Sequence, residues 1–166
     1  MTGFARRIFA VFTRRYIFNT HTVKPLHPVG LDSFLHHAMS TLSCIAVFFG
    51  GGLGCLLRFL CSRLIPAPAA CANFPFRTLF VNLAGCLLIG FLASLFANLE
   101  ARDDIRNFFI AGFCGGFTTF STFSRETLSL LQSTDTLSAI IYVLASVVFG
   151  ILLVFLGHLL SQKIFS

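Results

Sequence analysis

The sequence predicts an all-α integral membrane protein with four transmembrane helices, the third broken at its centre. Three observations carry that reading. Hydrophobic residues make up 56% of the 166-residue chain and charged residues 11%, against about 25% charged in soluble domains. The apolar residues gather into four long runs separated by short stretches rich in proline, charge or hydroxyls. One of those runs carries Gly115-Gly116 followed by Thr118-Thr119 in its middle. Glycine and β-branched pairs of this kind weaken a helix interior.

Residues 1–38 differ from the rest. Arg6, Arg7, Arg14, Arg15 and Lys24 alternate with aromatics and short apolar runs, and no long apolar core precedes Pro25 and Pro28. Three readings stay open: a targeting segment, a basic membrane-surface helix, or a start that is not native. Met39 runs directly into the first span and is expected to be the initiator. The chain therefore divides into a basic extension, 1–38, and a four-span domain, 39–166. The net charge of +6 does not point to nucleic acid, because the remaining cations flank apolar spans, where positive charge is ordinary.

Span one covers 42–60. Its Gly50 and Gly54 form a G-x-x-x-G pair that lets helices approach closely, and Arg58 can snorkel to the headgroups. Pro66, Pro68 and Pro75 stop any helix in 61–77. Span two covers 78–99 and contains one strongly polar interior residue, Asn82. A buried amide needs partners; Asn82 either bonds another helix or offers N–H donors to an anion. Gly85 and Gly90 suit close packing. Residues 100–106 form a solvated charged connection.

Span three, 107–124, lies between Arg106 and Arg125 with no charge inside, and continues weakly to Leu131. A break at its glycines frees backbone groups at membrane depth, where they are tolerated only facing protein, water or an ion. Broken membrane helices commonly hold ion sites. Phe117, Phe120 and Phe123, three apart, are expected on one helical face. The prediction is an ion-handling broken helix with an aromatic stripe. After a turn at 132–136, span four covers 137–160, with Tyr142 and the small pair Ser146-x-x-x-Gly150.

Four spans put both ends of the domain on one side, and four short helices are few for a permeation path, so oligomerisation is expected. Counted from Met39, Arg102, Arg106 and Lys163 on the terminus side balance Arg58, Arg63 and Arg77 opposite, with Arg125 near that face. Such a balance leaves the positive-inside bias undecided, so the chain can insert both ways and pair antiparallel. Including residues 1–38 would instead fix the terminus side in the cytoplasm.

The six cysteines, at 44, 55, 61, 71, 86 and 114, show no C-x-x-C and no zinc spacing, and read as small packing residues. His21, His27, His36 and His37 lie in the polar N-terminal part, and His158 near the end of span four faces an interface rather than a metal. The sequence has no G-x-x-x-x-G-K-[ST], H-E-x-x-H or G-x-S-x-G, and no nucleophile, base and orienting acid fall together at membrane depth. An enzyme is not expected.

The motifs Gly50-Gly51-x-x-Gly54-x-x-x-Arg58, Thr78-Leu79-x-Val81-Asn82-x-x-Gly85 and Gly115-Gly116-Phe117-Thr118-Thr119-Phe120-Ser121-Thr122-Phe123-Ser124-x-Glu126 resemble the Fluc (CrcB-type) fluoride channels over about residues 40–165. The resemblance implies an antiparallel, dual-topology homodimer in the cell inner membrane, with two pathways that export fluoride passively from the cytoplasm and lower its toxicity. It also implies a structural sodium ion, not transported, held at the dimer centre by the backbone carbonyls of Gly115 and Thr118. Phe120 and Phe123 match the pore phenylalanines, Asn82 the pore asparagine, Tyr142 the pore-facing tyrosine and Thr78 the hydroxyl opening span two. Ser121 joins this anion-binding set from the third motif, and Ser146 matches one serine of a polar track. Gly150 and Val154 interrupt that track. Arg77 and Arg125 stand where the family commonly has small residues.

The implied chemistry is coherent. Fluoride is small and strongly hydrated, so a pore must replace lost water with donors; Asn82 and the hydroxyls can donate. The ring edge of phenylalanine is the positive part of its quadrupole, so Phe120 and Phe123 can stabilise an anion weakly enough to release it. The rival readings are a proton-coupled small multidrug-type exporter, which needs a membrane-embedded carboxylate that spans one, two and four lack, and a non-transporting assembly factor, which gives no reason for span three.

Overall fold

The computed structural model describes residues 41–66, 74–99, 101–133 and 135–165. The chain divides into two units, Met1–Met39 and Ser40–Ser166, and every described residue belongs to the second. The expectations for 1–38, for Met39 and for Cys71 lie outside the described residues.

Among the described residues all regular structure is helical. Helix α1 is Thr41–Leu64 and α2 is Phe76–Asn98. The next element, α3, is composite: an α-turn at Asp103–Arg106, a π-helical stretch at Asn107–Cys114 and a last α-turn at Gly115–Phe117. Helix α4 is Phe120–Gln132 and α5 is Thr136–Phe165. Three of these, α1, α2 and α5, are long and apolar enough to cross a membrane. They cover expected spans one, two and four, with ends shifted by a few residues. Counting apolar residues stops at a charge, whereas helical hydrogen bonding runs past Arg63 and Lys163.

The run 107–124 is not one helix. It is shared between α3 and α4, with Thr118 (φ −85°, ψ 160°) and Thr119 (φ −149°, ψ 110°) extended between them. The interruption falls beyond the glycines that suggested it, because Gly115 and Gly116 are still helical. Gly116 serves packing instead: a Cβ there would run into the carbonyl of Gly51 on α1. Two adjacent β-branched residues favour the extended backbone, and the chain opens at those.

Packing follows the small residues. α2 lies along α5, and α1 along α3. A Cβ on Gly90 would meet the Val154 backbone, and one on Gly157 would meet the Leu87 carbonyl and the Phe91 amide. Gly50 and Gly54 play the same part against the carbonyls of Phe108 and Phe113 on α3, as the G-x-x-x-G spacing predicts. Phe108 and Phe113 are five apart, and the i→i+5 bonding of the π-helical stretch brings both to the α1 side. In lipid such close backbone approach replaces the hydrophobic drive. Gly90→Leu is therefore expected to destabilise the helix pair by about 3 kcal/mol, as overpacking does. A fluorescence melt in detergent reads this as a clear fall in Tm, while Gly52→Leu, whose Cβ would meet nothing within 4 Å, leaves Tm unchanged.

Candidate functional site

The site is built around the interruption at Thr118–Thr119. Asn82, nearly two turns into α2, reaches it with both ends of its amide. Its Oδ1 accepts from the Thr119 N–H at 2.8 Å, and its Nδ2 donates to the Thr119 carbonyl at 3.2 Å. The side chain thus imitates a strand partner for one extended residue. Three residues on, the same face of α2 carries Gly85, where a Cβ would collide with the Thr118 methyl. Asn82 pins one extended threonine and Gly85 makes room for the other. Both bonds run from α2 to the extended segment between α3 and α4. The amide has two donor hydrogens, and the bond to Thr119 uses one.

The carbonyls from Gly115 to Thr118 lose the N–H four residues on, as at any helix C-terminus. In an unbroken helix the Thr119 N–H would bond the Gly115 carbonyl, but it goes to Asn82. The Thr122 N–H would bond the Thr118 carbonyl, but it bonds the Thr119 Oγ1 at 3.2 Å, capping α4. The Cys114 carbonyl, by contrast, accepts from both the N–H and the Oγ1 of Thr118, each at 3.0 Å. Gly115 is exposed on the single chain and Thr118 half-buried. The carbonyls of Gly115 and Thr118 are therefore among those released, together with those of Gly116 and Phe117.

The aromatic stripe is not continuous. Phe117 lies before the interruption, 6% exposed, and stacks on Phe113 with ring centroids 6.0 Å apart and 8° between planes. Phe120 and Phe123 follow it, 5.7 Å apart. The extended residues break the helical register, so Phe117 becomes core and only the later two remain a pair. Phe120 is 79% exposed. Phe123 is half-buried against Tyr142, at 5.1 Å between centroids.

Glu126, at the edge of span three, is not among the site residues that the sequence suggests. In the structure it joins three helices. Thr78 Oγ1 on α2 donates to its Oε1 at 2.9 Å, and Tyr142 Oη on α5 donates to its Oε2 at 2.9 Å. Tyr142 is fully buried and Thr78 nearly so. The hydroxyl protons expected to serve an anion are thus already directed at a carboxylate. The signal in the sequence was the pairing of an acidic residue beside an apolar run with hydroxyls opening two other spans; nothing local fixes their meeting. Ser146 Oγ donates to the Tyr142 carbonyl at 2.7 Å, one turn back on its own helix. Ser121 is exposed, its Oγ 3.3 Å from the Thr119 Oγ1.

Glu126→Ala is expected to cost about 2 kcal/mol, since it leaves the Tyr142 hydroxyl buried without its acceptor. Adding Tyr142→Phe to it should recover part of the loss, as removing both partners is cheaper than removing one. Melting curves of the two single variants and the double variant measure this coupling.

A helical bundle with several apolar spans and a pinned interruption defines a multi-pass membrane protein. The family model described as CrcB-like protein, Camphor Resistance (CrcB), matches residues 45–158. A fluoride-specific ion channel FluC of Phocaeicola vulgatus is 45% identical over 120 residues, covering 72% of this chain and 98% of that protein. The proteins of the same name from Aquifex aeolicus and Pyrococcus abyssi are 42% identical over 120 residues and 40% over 126, covering 96% and 100% of their own lengths and 72% and 75% of this chain. The chain belongs to the CrcB-like family.

Proposed function

We propose that this chain is a fluoride channel that lets fluoride leave the cytoplasm passively across the inner membrane, lowering its concentration and toxicity. It works as an antiparallel, dual-topology homodimer, with the segment from α3 to α4 as a broken third span. The observation that carries this reading is the interruption held open by Asn82, with Phe120 and Phe123 directly after it. Relatives that cover nearly their whole lengths in the match bear the name fluoride-specific ion channel. The same name leaves the proton-coupled exporter without support.

Fluoride gives up water on entry and must find donors. Thr78 and Tyr142 supply hydroxyls held in place by Glu126, so an arriving anion competes with the carboxylate for protons already oriented. The remaining amide hydrogen of Asn82, the hydroxyl of Ser121 and the ring edges of Phe120 and Phe123 continue the series of weak sites. Ser146, whose proton is committed to a carbonyl, lines the path rather than donating. Weak sites in series allow exit as well as entry.

The carbonyls of Gly115 and Thr118 fit a structural sodium ion. Both are hard oxygen donors released from their helix, and two copies of the chain would supply four. Such an ion would lend a positive field to both pathways. What the chain itself does is hold the break: Asn82 takes the N–H that would reclose it, and the Thr119 side chain starts the next helix. The test is growth. Expression in a bacterial strain stripped of its own fluoride export should restore growth in fluoride medium; unchanged sensitivity, with the protein present in the membrane, would refute the reading.

A further inference from the structure

The carboxylate of Glu126 poses an electrostatic problem for an anion path, and the charges around it answer it. The end of the bundle in question is where α1 and α4 finish and α2 and α5 begin. Its charged residues among those described are Arg58, Arg63, Arg77, Arg125, Glu126 and Asp135. Arg77 directly precedes Thr78, and Arg125 directly precedes Glu126; these are the two residues joined by the bond from hydroxyl to carboxylate. Both arginines are exposed. Arg77 is also held in place: its Nε donates to the Ile65 carbonyl at 2.9 Å, tying the end of α1 to the start of α2. A guanidinium has five N–H donors, so that bond leaves most of its fork for other partners. Neighbouring residues on a helix point about 100° apart. Arg125 therefore stands clear of the bonds made by Glu126 yet remains within about a Debye length of it at physiological salt.

We propose that Arg77 and Arg125 are a cationic pair flanking the cluster of Thr78, Glu126 and Tyr142, offsetting the carboxylate and drawing small anions to it. This rests on the fluoride-channel reading and adds entry residues to it. Charge of one sign at a narrow low-dielectric opening concentrates its counter-ion and raises entry rates, and added salt removes the effect. The pair acts on entry, not on what happens deeper at Asn82 and the phenylalanines.

The test is fluoride-electrode efflux from proteoliposomes of wild type, Arg77→Gln, Arg125→Gln, the double variant and the matched lysine variants. Each is run at about 10 mM and about 1 M of a salt with an impermeant anion, where the screening length falls from about 30 Å to about 3 Å. The double glutamine variant should be roughly threefold to tenfold slower than wild type at low salt and equal to it at high salt. The lysine variants should keep wild-type rates. Arg102→Gln, which removes the surface ion pair with Asp104 at the other end of the bundle, should change nothing. Wild type itself should slow as salt rises, which tests the idea without any variant. Glutamine variants as fast as wild type at low salt, a deficit that survives high salt, lysine variants as slow as glutamine ones, or a salt-independent wild type would each overturn the proposal while leaving the channel intact. A wild type that passes no fluoride at either salt would overturn the channel reading beneath it.

Discussion

Asn82→Asp is expected to abolish fluoride efflux and to destabilise the fold by about 2 kcal/mol or more. The amide makes one bond in each direction, accepting from the Thr119 N–H and donating to the Thr119 carbonyl. A carboxylate keeps the first and turns the second into two oxygens facing each other, at a cost of about 1–3 kcal/mol or more for a part-buried charged group. It also sets a negative charge beside the route of an anion. The electrode should show efflux falling at least about a hundredfold, the equivalent of roughly 2.7 kcal/mol in barrier, together with a lower Tm. Wild-type efflux from this variant would remove Asn82 from both roles. A lowered Tm with normal efflux would keep it as a structural clamp alone.

Phe120→Ile should silence efflux as thoroughly but by a different route. Phe120 is 79% exposed on the single chain and contributes little to the packing of its own helix bundle. Isoleucine retains the apolar bulk and loses the aromatic edge. Stability should therefore stay within about 0.5 kcal/mol of wild type, as for exposed substitutions, while efflux disappears. The two variants separate the parts of the account: one strikes the device that holds the interruption, the other the surface that the interruption presents. Unchanged efflux in Phe120→Ile would place the ring in lipid or at a subunit contact.

The three long helices were legible because hydropathy and proline position determine them almost alone. In the run 107–124 the non-helical step falls at Thr118–Thr119 rather than at the glycines. Gly115-Gly116 reads as the weak point, yet in the fold both stay helical, Gly116 serves the approach of α3 to α1, and the threonines open the chain. That exchange depends on Gly51, Gly85 and Asn82 in other helices, which no local reading of span three contains. The same cause split the phenylalanine stripe: helical spacing held only while the helix did, and Phe117 went to the core. Glu126 was missed because its meaning lies in Thr78 and Tyr142, far from it in sequence and brought to it only by packing of α2, α4 and α5. Motifs of small residues were read well, since a G-x-x-x-G pair has one main physical use.

On the proposed function, the opened segment at Thr118–Thr119 serves the passage of fluoride. Efflux of fluoride and of chloride from liposomes carrying the purified wild-type chain tests it most directly. Rapid, protein-dependent loss of fluoride down its gradient, with chloride retained, is the expected result. Fluoride held as firmly as in protein-free liposomes, or chloride lost at the same rate, would contradict it.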